Sequence, residues 1–198
     1  MVFTLGPSAH LPTLSTRAGL GTISSSSDIA RFVKGGVVKT FRYADMTEPE
    51  FTAELTAVLD GQSDAARTLI PLLLASLPAA ATRLDLQVFP AQDGDGFFTV
   101  RASVDGPDLY VINKSIDAHA DLFDAKYTED GVQPPIPIVD CFDVDYPVND
   151  IVVDCAAKWL QTVWKSLGDV QCEIPVLIVG HDDYGTVTPI ELHSGAAA

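Results

Sequence analysis

The segment Gly180-His181-Asp182-Asp183-Tyr184-Gly185-Thr186 holds the residue types best suited to chemistry. A histidine titrates near neutrality, and an adjacent carboxylate can orient its ring or stabilise its charge. Tyr184 adds a phenolic donor. His181, Asp182, Asp183 and Tyr184 are therefore candidates for a hydrolase or a metal-dependent site. Catalysis would need a nucleophile or a metal to converge on them, and the sequence names neither. The competing reading is a turn between two strands, because Asp and Gly suit turn backbone on their own account.

A second candidate is Asp117-Ala118-His119-Ala120-Asp121. In an extended chain alternate residues share a side, so Asp117, His119 and Asp121 could face a metal together. On a helix Asp117 and Asp121 share a face and His119 points away. A metal also needs further ligands held by a supporting shell, and Asp140, Asp143 and Asp145 could supply them. The plainer reading is a solvated acidic surface with no metal. A third segment, Asp93-Gly94-Asp95-Gly96, begins like a calcium loop. The glutamate such a loop requires at its twelfth position is replaced by Val104, which leaves a hairpin turn as the better account.

No phosphate-binding glycine loop, dinucleotide fingerprint, zinc-protease helix or nucleophile elbow is present, so no cofactor is expected. Charge says more. The chain of 198 residues holds 12 basic and 27 acidic side chains. Residues 1–45 hold five of the basic and two of the acidic ones, leaving seven basic and 25 acidic from Met46 onward. A field of that sign repels nucleic acid and anionic membrane, and it steers encounter with a basic protein. The three cysteines, Cys141, Cys155 and Cys172, form no CxxC, which fits a reducing cytoplasm. No stretch is long and apolar enough to span a bilayer.

These residues need a frame. Residues 1–45 read as a low-complexity or disordered extension, with Ser24-Ser25-Ser26-Ser27 and scattered glycines. Met46 stands where the composition changes and is an alternative start. Residues 46–193 read as a single acidic domain and 194–198 as a frayed tail. Thr47 and Glu50 make a capping box before Phe51, Leu55, Val58 and Leu59, and Gly61 ends that helix. A second helix is expected from Ser63 to Leu77, kinked or divided by Pro71. Leu84, Leu86 and Val88 alternate with polar residues, as do Phe98, Val100, Ala102 and Val104, which predicts two antiparallel strands. Leu109–Asn113 reads as a third strand, and Ile116–Phe123 as a possible short helix. Val152, Ala156, Trp159, Leu160 and Val163 predict a helix over 150–167, capped by Asn149 or Asp150. Trp159 falls on its apolar face, while Trp164 lies far enough round to reach a rim and anchor an interface. Val176–Val179 predicts an interior strand, and Pro189 puts the last strand at an edge. The sum is an α+β fold: a mainly antiparallel sheet of about five strands with helices packed on one face.

Three stretches carry a resemblance: Gln92-Asp93-Gly94-Asp95-Gly96-Phe97-Phe98, Val152-Val153-Asp154 through Trp159, and Gly180 to Thr186 with Thr188-Pro189. Together they resemble an uncharacterised family of small acidic bacterial proteins, a domain of unknown function, over about residues 46–193. That resemblance implies one bacterial domain and no mechanism. The expected function is a non-enzymatic binding protein, an immunity-type inhibitor of a basic partner. The alternative is the enzyme built on the His181 loop.

Overall fold

The computed structural model describes residues 28–32, 38–42, 46–129, 131–140 and 142–195. Strands β1 (Asp28–Phe32) and β2 (Val38–Arg42) pair antiparallel in a sheet of their own. The rest of the expected extension and the end of the expected tail lie outside the described residues.

Helix α1 (Glu48–Gly61) opens as its sequence requires. The Glu50 carboxylate accepts the Thr47 backbone N–H at 2.9 Å and the Thr47 hydroxyl at 2.7 Å. Phe51, Leu55 and Leu59 are fully buried along one stripe. Helix α2 (Ser63–Ala75) runs on through Pro71 and is not divided by it. Pro71 and Arg67, the residue whose carbonyl loses its partner, are both exposed, so water can serve that carbonyl.

Strands β3 (Arg83–Pro90) and β4 (Phe98–Asp105) pair antiparallel along their whole length. On β4 every second side chain is buried, from Phe98 to Val104, as the alternation demands. The predicted third strand is a correction: Leu109–Asn113 lies in helix α3 (Leu109–Ile116). Ile112 and Ile116, one turn apart, are its buried residues. The Asn113 side chain explains how the end of β4, at Val104, manages without a strand beside it. Its Oδ1 accepts the Val104 N–H at 2.9 Å, and its Nδ2 donates to the Val104 carbonyl at 2.9 Å. One amide side chain thus satisfies the backbone groups that a strand would have paired.

After α3 the expected short helix shrinks to a 3-10 turn at Asp117–His119, followed by strand β5 (Asp121–Asp124) on β4. A small hairpin, β6 (Lys126–Thr128) with β7 (Gly131–Gln133), was not foreseen. Helix α4 (Val148–Ser166) packs against α1, α2 and β3. Pro147 precedes it, and Asn149 and Asp150 lie inside its first turn rather than at the cap. Strand β8 (Pro175–Gly180) then runs parallel to β3, and β9 (Ile190–Ser194) closes the edge antiparallel.

The sheet order is β5-β4-β3-β8-β9, mostly antiparallel with one parallel pair, and the fold is α+β. Leu84, Leu86, Val88, Val100 and Ile178 form the sheet's side of the core beneath α4. No helix among the described residues is long and apolar enough to cross a membrane.

Candidate functional site

The parallel strands β3 and β8 end at the same side of the sheet, at Pro90 and Gly180. Helix α4 leads by a short loop into the start of β8, so its own N-terminus sits at that same side. The space beyond the carboxyl ends of parallel strands, beside a helix N-terminus, is where α/β sheets hold ligands. Three segments meet there: the 91–97 turn after β3, the first turn of α4, and the 181–189 loop between β8 and β9. They border an open pocket of about 190 Å³ whose wall includes Gly94, Tyr146, Asn149, Asp150 and Tyr184.

Carboxylates on α4 hold the third segment in place. Asp150 accepts the Gly185 N–H at 2.8 Å. Asp154, one turn along, accepts the Thr186 N–H at 2.8 Å, the Thr186 hydroxyl at 2.6 Å and the Val187 N–H at 3.2 Å. The loop folds so closely on the end of β8 and on α4 that glycine is required. A Cβ on Gly180 would stand 1.9 Å from the Tyr184 carbonyl oxygen, and one on Gly185 would stand 2.4 Å from Val153 Cγ1. Between them Asp182 and Asp183 take left-handed conformations, with φ of 53° and 61°. Aspartate tolerates that region better than most residues, but each instance still costs of order 1 kcal/mol.

The four residues picked out in this loop do not converge on one point. The His181 ring packs at a tilt against Phe89 with centroids 4.7 Å apart, and its Nε2 lies 3.4 Å from Asp182 Oδ1. Asp182 and Asp183 are exposed. Only Tyr184 reaches the cavity wall. The nearby hydroxyls are engaged, Thr186 with Asp154 and Thr188 with the Tyr184 carbonyl at 3.1 Å.

The second candidate segment has a different fate. Arg101 on β4 pairs with both Asp117 and Asp121. Its guanidinium occupies the position between the carboxylates where a metal would have to sit. Those hydrogen bonds, first to Asp121, hold Arg101 above its ordinary pKa. His119 lies in the 3-10 turn between them. Among the described residues no group of three or more His, Cys, Asp or Glu is placed to hold a metal ion. Trp164 is 9% exposed and packs in the core, because α1 and α2 cover the side of α4 away from the sheet. Trp159 is buried too, and its indole N–H donates to Ser63 Oγ at 3.0 Å. Burial pushes the Cys155 thiol above its ordinary pKa, as befits a small apolar core residue.

Several site residues escaped the sequence reading. Tyr146 lines the cavity, packs its ring 5.8 Å from that of Phe51 and donates its hydroxyl to the Met46 carbonyl at 3.2 Å. Burial, then Glu48, Asp145 and Glu50, raise its phenol above the ordinary value. Asn149 donates to the Ala91 carbonyl at 3.3 Å, while its Oδ1 is buried with no hydrogen-bond partner. Asp150 and Asp154 did carry a signal. They are two acids one helical turn apart in the first half of the helix, the spacing that gives one face two acceptors.

Arg67, Arg83, Arg101 and Lys126 pair with Asp64, Asp85, Asp105, Asp117, Asp121 and Asp124. Among the described residues, no lysine or arginine pairs with Asp93, Asp95, Asp145, Asp150, Asp182 or Asp183, which lie in or beside the three segments.

No curated protein and no solved structure gives a significant match to this chain. A family model does match it, over residues 46–194, a span that takes in all three segments around the cavity. The chain belongs to a family of unknown function, DUF6389.

Proposed function

We propose that the protein acts by binding: a non-enzymatic acidic domain that engages a basic protein partner, in the manner of an immunity-type inhibitor. The observation that carries this reading is the set of carboxylates left without a cation around the cavity, in a domain with 25 acidic and seven basic side chains from Met46 onward. Such a surface speeds encounter with a basic protein and disfavours nucleic acid and anionic membrane. The three cysteines without a CxxC support a cytoplasmic setting. Tagged full-length protein captured from its native lysate tests the reading. One basic protein retained at low salt and released at high salt is the expected result. No retained protein at low salt would overturn it.

The alternative, a hydrolase or metal-dependent enzyme on His181, Asp182, Asp183 and Tyr184, has one observation in its favour, the 3.4 Å approach of His181 to Asp182. Its weakness is that His181 packs against Phe89 while only Tyr184 meets the pocket. Titration with Zn²⁺, Mn²⁺ and Ca²⁺ separates the readings: saturable binding abolished by His181→Ala would favour the enzyme.

A further inference from the structure

Helix α3 is apolar on two sides. Ile112 and Ile116 face the core and are buried. Tyr110 and Val111, on the outer side, are 75% and 57% exposed. Pro107, Lys114 and Ala118 are exposed too, at spacings of three and four residues from these, so one outward stripe holds Pro107, Tyr110, Val111, Lys114 and Ala118. Lys114 is its only charge. A surface helix ordinarily turns polar residues away from its core, and a helix that is apolar on every side is a covered one. Two opposite charges mark the ends of the apolar stretch. Asp108, at the N-terminal end, makes no capping hydrogen bond with its side chain. Among the described residues neither Asp108 nor Lys114 has an ion pair. They stand six residues apart, about 9 Å along the axis. The Lys114 ammonium lies instead over its own Tyr110 ring, 5.7 Å from the centroid. The nearest bordering acids, Asp105 and Asp117, are paired with Arg83 and Arg101.

We infer that the outward stripe of α3 is a contact between two copies of this chain, their α3 helices crossing antiparallel at Val111. A twofold contact uses the same patch on both subunits, so the patch must complement itself. This one does. Val111 lies midway between Asp108 and Lys114, and a twofold axis there sets Asp108 of each copy against Lys114 of the other. Tyr110 and Val111 of both copies fill the space between the two ion pairs. A parallel crossing would set like charge against like. The acidity of the domain opposes self-association in general, but the carboxylates bordering this stripe are paired and the free charge within it is positive. One helical face is small for a specific interface, so the dimer is weak, with a Kd on the order of 100 μM. Strand β4 ends at Asp105, opposite Arg83 at the start of β3, and α3 follows from there. The stripe therefore lies at the end of the sheet away from the open pocket, and the inference stands or falls independently of the binding reading above.

The test is sedimentation velocity of the full-length protein from about 5 to about 500 μM, in about 0.15 M salt to screen the net charge. A dimer that grows with concentration is expected, weakened about tenfold or more by Tyr110→Ser. Asp108→Lys alone and Lys114→Asp alone should each weaken it about five- to tenfold, because each sets like charges face to face. Both substitutions in one chain should restore it. So should an equimolar mixture of the two single variants, which brings opposite charges together at both ends of the contact. Rescue in the mixture cannot come from repair of either fold, which separates pairing from any backbone effect at Asp108, with its φ of 55°. A monomer at every concentration would overturn the inference and leave the stripe to a different protein. A dimer indifferent to Tyr110→Ser would overturn it as well, by placing the contact elsewhere. Single variants that weaken the dimer but are rescued neither in one chain nor in the mixture would overturn the antiparallel crossing, and the inference with it.

Discussion

Two segments of this chain pair a histidine with two aspartates, and the fold treats them in opposite ways. Around His119, Asp117 and Asp121 are both answered by the guanidinium of Arg101. Around His181, the carboxylates that hold the loop, Asp150 and Asp154, are answered by backbone N–H groups and one hydroxyl. Both arrangements satisfy hydrogen bonds. Only the first cancels charge, since a peptide N–H brings a dipole and no net charge. The same residue types therefore give partly compensated carboxylates around His119 and uncompensated ones beneath the 181–189 loop.

The comparison breaks most visibly if the loop end is forced off α4. Gly180→Ala would place a methyl group 1.9 Å from the Tyr184 carbonyl oxygen, a backbone atom that cannot step aside. We expect a loss of about 3 kcal/mol, read from denaturant or thermal unfolding, because relieving the clash means moving the loop from its anchors. Gly61→Ala is the control. A Cβ there meets nothing within 4 Å, and the change should stay within about 0.5 kcal/mol. Equal behaviour of the two variants would mean that the loop does not fold back against the end of β8.

The next test separates the two ways of answering a carboxylate. Asp154→Ala removes three hydrogen bonds to the Thr186 and Val187 region, and should cost about 2 kcal/mol. Short charge–dipole bonds are weakly screened, so high salt should leave most of that cost in place. Arg101→Gln removes partly exposed ion pairs, and should cost no more than about 0.5–1 kcal/mol, shrinking further at high salt. Urea midpoints of the parent and both variants at two ionic strengths decide it. Equal salt sensitivity would remove the distinction between the two segments.

The frame around this comparison was largely legible where local pattern and tertiary packing agree. The Thr47–Glu50 box, the alternation on β4 and the apolar stripe of α4 each carry their own cause within a few residues. Leu109–Asn113 misled because Tyr110, Val111 and Ile112 favour strands, and the contact that serves β4 at Val104, beyond its pairing with β5, is a side-chain amide, invisible to any backbone period. The site was legible only in halves. The 180–186 loop declared itself by composition, but its anchors lie about 30 residues earlier, on a helix whose apolar face drew all the attention. The parallel pairing of β3 with β8 joins segments too far apart in sequence for a turn signal to reveal. Without that pairing there is no reason to bring Gly94, Tyr146 and Tyr184 together.

The smallest effect concerns a third carboxylate answered by local donors, Glu50 at the start of α1. Its pKa is lowered, first by the Thr47 backbone N–H and then by the Thr47 hydroxyl. A carboxyl whose folded-state pKa is depressed stabilises the fold while it is ionised. That contribution is complete above the unfolded-state value and is lost as pH falls through the folded-state one. Glu50→Ala should therefore be less stable than the parent at pH 7, with the gap closing on acidification below the ordinary glutamate range. Alanine's better helix propensity offsets part of the loss at every pH, which keeps the effect small. Unfolding midpoints of parent and variant at pH 7 and pH 3 make the measurement. A gap that persists at pH 3 would mean that Glu50 acts through packing and not through charge. A gap that closes would place it with Asp150 and Asp154, among the carboxylates that order backbone N–H groups while leaving the domain's negative field intact.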